Sequence, residues 1–107
     1  MSRFAWLFLI VAGLFEIGWP LGLKLSQTTR FKVSSIVLAA LSMGLSGLFL
    51  WLAQKEIPMG TAYAVWTGIG AAGTFLLGII FFGDPFGTMR WLSFGFIVAG
   101  VIGLKIG

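Results

Sequence analysis

Residues 4–23 read FAWLFLIVAGLFEIGWPLGL, and the fold is decided by this stretch. Its only ionisable side chain is Glu16. A helix needs about 20 apolar residues to cross the hydrocarbon core of a bilayer, and the run is that long. A carboxylate at such depth costs on the order of 3 kcal/mol on insertion scales, so an intramembrane Glu marks a functional site by default. The alternative is a protonated Glu that only hydrogen-bonds a neighbouring helix. It accounts for the residue less well, because Gln would serve without titrating.

The rest of the composition agrees. The chain of 107 residues is 59% hydrophobic and 9% charged, with a mean hydropathy of +1.07. A soluble domain averages about 25% charged residues, and no soluble core of this size hides so much apolar surface. The sequence therefore describes an integral membrane protein. The first run is too long for a cleaved signal peptide, and no small-residue cleavage site follows it. With no Cys and no His, disulfides, thiol chemistry and the usual metal ligand are absent, and no metal or cofactor is expected. The net charge of +4 reads as anchoring to anionic headgroups and not as nucleic-acid binding.

Charges and prolines mark one four-helix transmembrane domain over residues 1–107, with spans at about 4–23, 33–53, 58–82 and 85–104. The basic loop KLSQTTRFK (24–32) follows the first span, and Gln54, Lys55 and Glu56 follow the second. Pro58 suits the first turn of the third helix, and Gly83 its C-terminal cap. Asp84-Pro85 reads as an N-cap followed by Pro at the first helical position of the fourth, with Arg90 able to snorkel to the headgroups. Connections this short make successive helices antiparallel neighbours.

With four spans, Arg3, Lys55 and Lys105 share one side, and Lys24, Arg30, Lys32 and Arg90 the other. Three against four, summing to the seven basic residues, is almost no orientational bias. Both orientations are expected, and two opposed copies can pair as an antiparallel dimer. Size argues the same way, since four helices hardly enclose a wet cavity around a carboxylate that must avoid lipid. Gly95, Ala99 and Gly103 form a small-xxx-small stripe for close helix contact, either with a second copy or within the chain.

The remaining polar groups collect at helical spacing. Glu16 shares a face with Ala12, Gly13, Trp19 and Pro20. Ser42 and Ser46 are one turn apart on the second helix, and Tyr63, Trp66 and Gly70 form a stripe on the third. Each has a plain alternative. Ser46 can bond back to a carbonyl of its own helix. Trp19, Trp66 and Tyr63 can belong to interfacial belts, although both tryptophans sit well inside their spans.

The segment PMGTAYAVWTGIGAAG (58–73), together with GLFEIGWPLGLK (13–24) around the lone Glu, closely resembles the small multidrug resistance family. The resemblance covers essentially the whole chain and is most specific in the third helix and least in the fourth. The Trp three residues after the Glu, the Lys55 loop and the run TAYAVWTG (61–68) are similar to the guanidinium-exporter subtype. The quaternary-ammonium subtype typically has a small or hydroxylated residue where Trp19 stands. The resemblance implies an all-α, antiparallel dual-topology homodimer in the inner (cytoplasmic) cell membrane. It implies export of guanidinium or a related small organic cation in exchange for protons, by alternating access. Carried over by position, Glu16 is the shared proton and cation site, and Gly13, Trp19, Ser46, Tyr63 and Trp66 line or order the pocket. Gly68 and Gly70 flank the hinge of the third helix.

One position departs from the subtype, which usually has a small residue such as Ala after that Trp. Here it is Pro20, which lacks the N–H that would bond the Glu16 carbonyl and so should kink the helix beside the carboxylate. A widened site would admit substituted guanidiniums or small quaternary ammonium ions, which makes a broader multidrug cation exporter the alternative function. An accessory membrane subunit, with Glu16 paired to a cation of a larger complex, is a second alternative. An enzyme is not expected, because no nucleophile–base pair is present.

Overall fold

Four helices follow one another: α1 (Arg3–Thr28), α2 (Lys32–Gln54), α3 (Met59–Phe82) and α4 (Thr88–Ile106). The computed structural model describes residues 3–107, so Met1 and Ser2 lie outside the described residues. All four helices are long and apolar enough to cross a bilayer, where a helix satisfies its backbone polar groups within itself. The chain is thus an all-α, multi-pass membrane protein.

Two helix ends differ from the sequence expectation. The first span was placed at 4–23, yet α1 runs on to Thr28. Hydroxyls supply the reason: Ser26 donates to the Leu23 carbonyl at 2.6 Å, Thr28 to Lys24 at 3.0 Å and Thr29 to Leu25 at 2.8 Å. They add a second donor to carbonyls of the last turns, with the Thr29 N–H also donating to Leu25 at 3.0 Å, so these polar side chains close on the helix itself. The fourth helix was expected to open at Asp84-Pro85, but it starts at Thr88 after an extended Gly87 and has no side-chain cap. Asp84 is occupied elsewhere. Gly83 ends α3 in the left-handed region at φ 66°, and the Asp84 N–H then donates to the Gly78 carbonyl at 3.0 Å.

Glycines set the helix spacing. On α1, a β-carbon at Gly22 would sit 2.7 Å from the Ser35 carbonyl oxygen and 2.8 Å from the Ala39 nitrogen, and one at Gly18 would overlap the Ser42 hydroxyl. Gly18 and Gly22 therefore bring α1 and α2 nearly backbone to backbone, as small residues four apart do in membranes. A buried cluster of Ala5, Leu9, Ala53, Ile57, Ala62 and Val65 closes the terminal end of α1, α2 and α3. At the opposite end, the rings of Phe75, Trp91 and Phe94 clamp α3 to α4, with centroids 5.4–5.7 Å apart. α4 packs its backbone mainly on α3, reaches α1 through Lys105 over the Trp6 ring, and has no buried residue. The described chain is a slab 17 Å thick, less than two helix diameters of about 10–12 Å each. Its broad faces carry exposed Leu41, Leu48, Ile80, Phe81 and Phe96, apolar surface suited to lipid or to another protein.

α1 continues as a helix through Pro20 for two further turns, and α3 is continuous through Gly68, Ile69 and Gly70.

Candidate functional site

Glu16 lies midway along α1, half-buried, on the face turned to α3. Its neighbour there is Gly70, where a β-carbon would overlap the Glu16 Cγ. One turn towards the terminal end, Gly13 meets Ile69, with its virtual β-carbon 2.7 Å from the Ile69 Cβ. One residue beyond the Glu, Ile17 lies over Gly73. The α1–α3 seam is thus built from a glycine on one helix opposite a side chain on the other, and Glu16 is one of those side chains. Among the described residues its carboxylate has no hydrogen-bond or ion-pair partner. It is free to hold a proton or a cation.

Two of the expected pocket residues form a relay beside it. The Trp66 indole Nε1 donates to the Ser46 hydroxyl at 2.7 Å, and Ser46 donates to the Ala12 carbonyl at 2.7 Å. Ser46 is 1% exposed and spends its proton across the α1–α2 interface, not on its own helix. Ala12 is the residue whose carbonyl the Glu16 N–H addresses in an α-helix. The relay from α3 through α2 thus ends on the turn that carries the carboxylate. Tyr63 stacks against Trp66 at 5.3 Å between centroids, tilted by 53°, and remains 57% exposed.

Other expected residues are not gathered at this point. Trp19 is half-buried one turn beyond Glu16 and makes no hydrogen bond to the described residues. Gly68 faces α4, where a β-carbon would meet Val101 and Ile97, while Gly70 faces Glu16. The pair therefore admits two different neighbours. Gly95 and Gly103 have open space around a virtual β-carbon, and Ala99 is exposed. The α4 stripe is not used for packing within the chain. Sequence reasoning missed Gly18, Gly22 and the Ala12 carbonyl. The first two carry the same small-xxx-small spacing noted on α4, which could have flagged them.

Residues 4–97 match the family model described as Small Multidrug Resistance protein. A guanidinium exporter of Yersinia pseudotuberculosis is 50% identical over 103 residues, covering 95% of this chain and 97% of that protein. A guanidinium exporter of Proteus vulgaris is 50% identical over 105 residues, covering 95% and 97%. One of Citrobacter freundii is 46% identical over 103 residues, covering 95% and 96%. With a family match over most of its length and relatives this similar from end to end, the chain belongs to the small multidrug resistance family.

Proposed function

We propose that this protein exports guanidinium, or a closely related small organic cation, across the inner membrane in exchange for protons. The observation that carries the proposal is Glu16, a carboxylate midway along a helix apolar and long enough to cross a bilayer, with no partner among the described residues and a glycine against its side chain. The guanidinium-exporter relatives support the choice of cargo. Guanidinium is planar, with donors in a fork that matches a carboxylate in bidentate fashion.

Glu16 is the shared site in this scheme. Two copies insert in opposite orientations and bring their Glu16 side chains together. A proton and a cation compete for the same carboxylates, so an entering cation displaces protons. Occupancy by one or the other, combined with alternating access, couples export to proton entry. The Trp66–Ser46–Ala12 relay holds the Glu16 turn in place, and Trp19 and Tyr63 line the pocket. Gly68 and Gly70 are the hinge of α3, and Gly95, Ala99 and Gly103 the α4 contact between copies.

Purified protein alone in liposomes, loaded with guanidinium and given a proton gradient, tests the scheme and separates an exporter from an accessory subunit. Glu16→Gln should remain a folded dimer and lose proton-coupled exchange, because an amide neither titrates nor carries charge. Proton-driven guanidinium transport at the wild-type rate in Glu16→Gln would refute the assignment.

A further inference from the structure

Beyond the Ile17–Gly73 contact the C-terminal halves of α1 and α3 diverge and leave a half-open cleft of about 240 Å³. Ile17, Leu21, Leu77 and Phe82 wall it, and Lys24 and Asp84 edge it. Lys24 lies in the last turns of α1 and Asp84 just past the end of α3. At the ends of membrane-crossing helices such charges sit at headgroup depth. The neighbour available there is lipid.

The polar groups in this cleft are unspent. Lys24 and Asp84 carry opposite charge on one cavity, yet among the described residues neither forms an ion pair. The Asp84 carboxylate lies beside the α3 wall. Its backbone N–H bonds the Gly78 carbonyl at 3.0 Å, and its Oδ2 rests over Gly78, where a β-carbon would overlap it. Thr74 also lines the cleft. Ser35, Ser93 and Thr28 each return their hydroxyl proton to a carbonyl four residues back, whereas Thr74 makes no hydrogen bond among the described residues. A cation and an anion thus edge an apolar trough that has a free hydroxyl deeper in its wall.

We infer that the cleft binds a zwitterionic phospholipid with a primary ammonium head, of the phosphatidylethanolamine type. Lys24 takes the phosphate, and Asp84 accepts hydrogen bonds from the ammonium. An acyl chain lies along Ile17, Leu21 and Leu77, past Thr74 deeper in the cleft. The head-group preference follows from the chemistry. The quaternary ammonium of phosphatidylcholine has no N–H for Asp84, and phosphatidylglycerol brings no cation at all. A transported cation suits the cleft less well, because Lys24 repels it. The inference does not depend on the transport reading.

Native mass spectrometry of the detergent-solubilised full-length protein provides the test, with separate titrations of palmitoyl-oleoyl phosphatidylethanolamine, phosphatidylcholine and phosphatidylglycerol. Phosphatidylethanolamine should bind roughly tenfold more tightly than the other two, the scale of one charge-assisted hydrogen-bonded contact. Lys24→Gln should weaken all three lipids by a similar factor, since each carries the phosphate. Asp84→Asn should weaken phosphatidylethanolamine alone and bring it level with phosphatidylcholine. Both substitutions are near-isosteric at exposed positions, and unchanged helical circular dichroism checks the fold. Equal binding of phosphatidylethanolamine and phosphatidylcholine by the wild type would overturn the inference, as would an Asp84→Asn loss shared by both. Displacement of phosphatidylethanolamine by guanidinium would overturn it too, by giving the cleft to the cation pathway. So would phosphatidylethanolamine adducts confined to dissociated single chains, which would give the cleft to a second copy.

Discussion

Adding one methyl group at Gly70 tests the α1–α3 seam directly. In Gly70→Ala the new β-carbon overlaps the Glu16 Cγ and lies 3.1 Å from the Glu16 Cβ. Both atoms are near the root of the Glu side chain, so turning the carboxylate end does not relieve the contact. Either Glu16 changes its χ1 rotamer or the helices separate. Overpacking of this kind costs about 1–3 kcal/mol, and Ala gains up to about 1 kcal/mol over Gly in helix propensity. A matched control removes the propensity term: Gly47 also lies mid-helix, on α2, but has nothing within 4 Å of a virtual β-carbon. Gly47→Ala should be neutral or stabilising, and the gap between the two variants is the overpacking cost itself. That gap of about 1–3 kcal/mol is a factor of about 5–150 in the unfolding equilibrium. Titration of micellar protein with a denaturing detergent, followed by tryptophan fluorescence, measures it. Guanidinium uptake by Gly70→Ala in liposomes should fall with it, because the carboxylate has moved. Unfolding midpoints and uptake rates that coincide for Gly70→Ala and Gly47→Ala would mean that Gly70 does not touch Glu16.

Ser46→Ala leaves the buried side of the Trp66 indole without its acceptor and removes the donor to Ala12; with each intramembrane hydrogen bond worth about 0.6 kcal/mol and at most about 1.7, the detergent-unfolding free energy should drop by about 1–2 kcal/mol. Gly103→Leu fills space that is empty in the single chain, so helical circular dichroism should be unchanged while cross-linking between copies falls. Pro20→Ala restores the N–H that bonds the Glu16 carbonyl, so transport of guanidinium should survive while that of bulkier cations falls by about 10- to 200-fold, as paired transport currents would show. Single cysteines placed in the loop at 29–31 should be labelled from both faces of intact cells, given the near balance of basic residues.

The spans were legible because hydropathy alone dictates them: in lipid, an apolar run of about 20 residues has no structure open to it but a helix. Their ends were not. The extension of α1 comes from hydroxyls of Ser26, Thr28 and Thr29 returning to carbonyls, which hydropathy counts as polar loop. Asp84-Pro85 obeys the local rule for a helix start, yet the backbone N–H of Asp84 is taken up by the Gly78 carbonyl at the end of α3. At the candidate site, Glu16 was legible as the single charge in its run. The partner of Ser46 was not. Whether that hydroxyl bonds its own helix or the Ala12 carbonyl depends on how closely α1 and α2 approach, and Gly18 and Gly22 set that distance.

Tyr63 shows what an antiparallel arrangement of the proposed dimer would change around Glu16. It lies seven residues before Gly70, the residue against Glu16, and at 1.5 Å per residue that is about 10 Å along α3. Within one chain Tyr63 is therefore stranded towards the terminal end, largely exposed, with its ring resting on Trp66. A parallel partner would bring its own Tyr63 to that same end, so that both hydroxyls lie about 10 Å to one side of the Glu16 level. An inverted partner reverses the order along the membrane normal and carries its Tyr63 past the bilayer centre, towards the far side of this Glu16. The 17 Å slab becomes half of an enclosure in that arrangement, and the exposed stripe of Gly95, Ala99 and Gly103 gains a surface to meet. The near-even split of basic residues, costly to a protein that needs one orientation, is what such an assembly requires, because each copy must insert the opposite way from its partner.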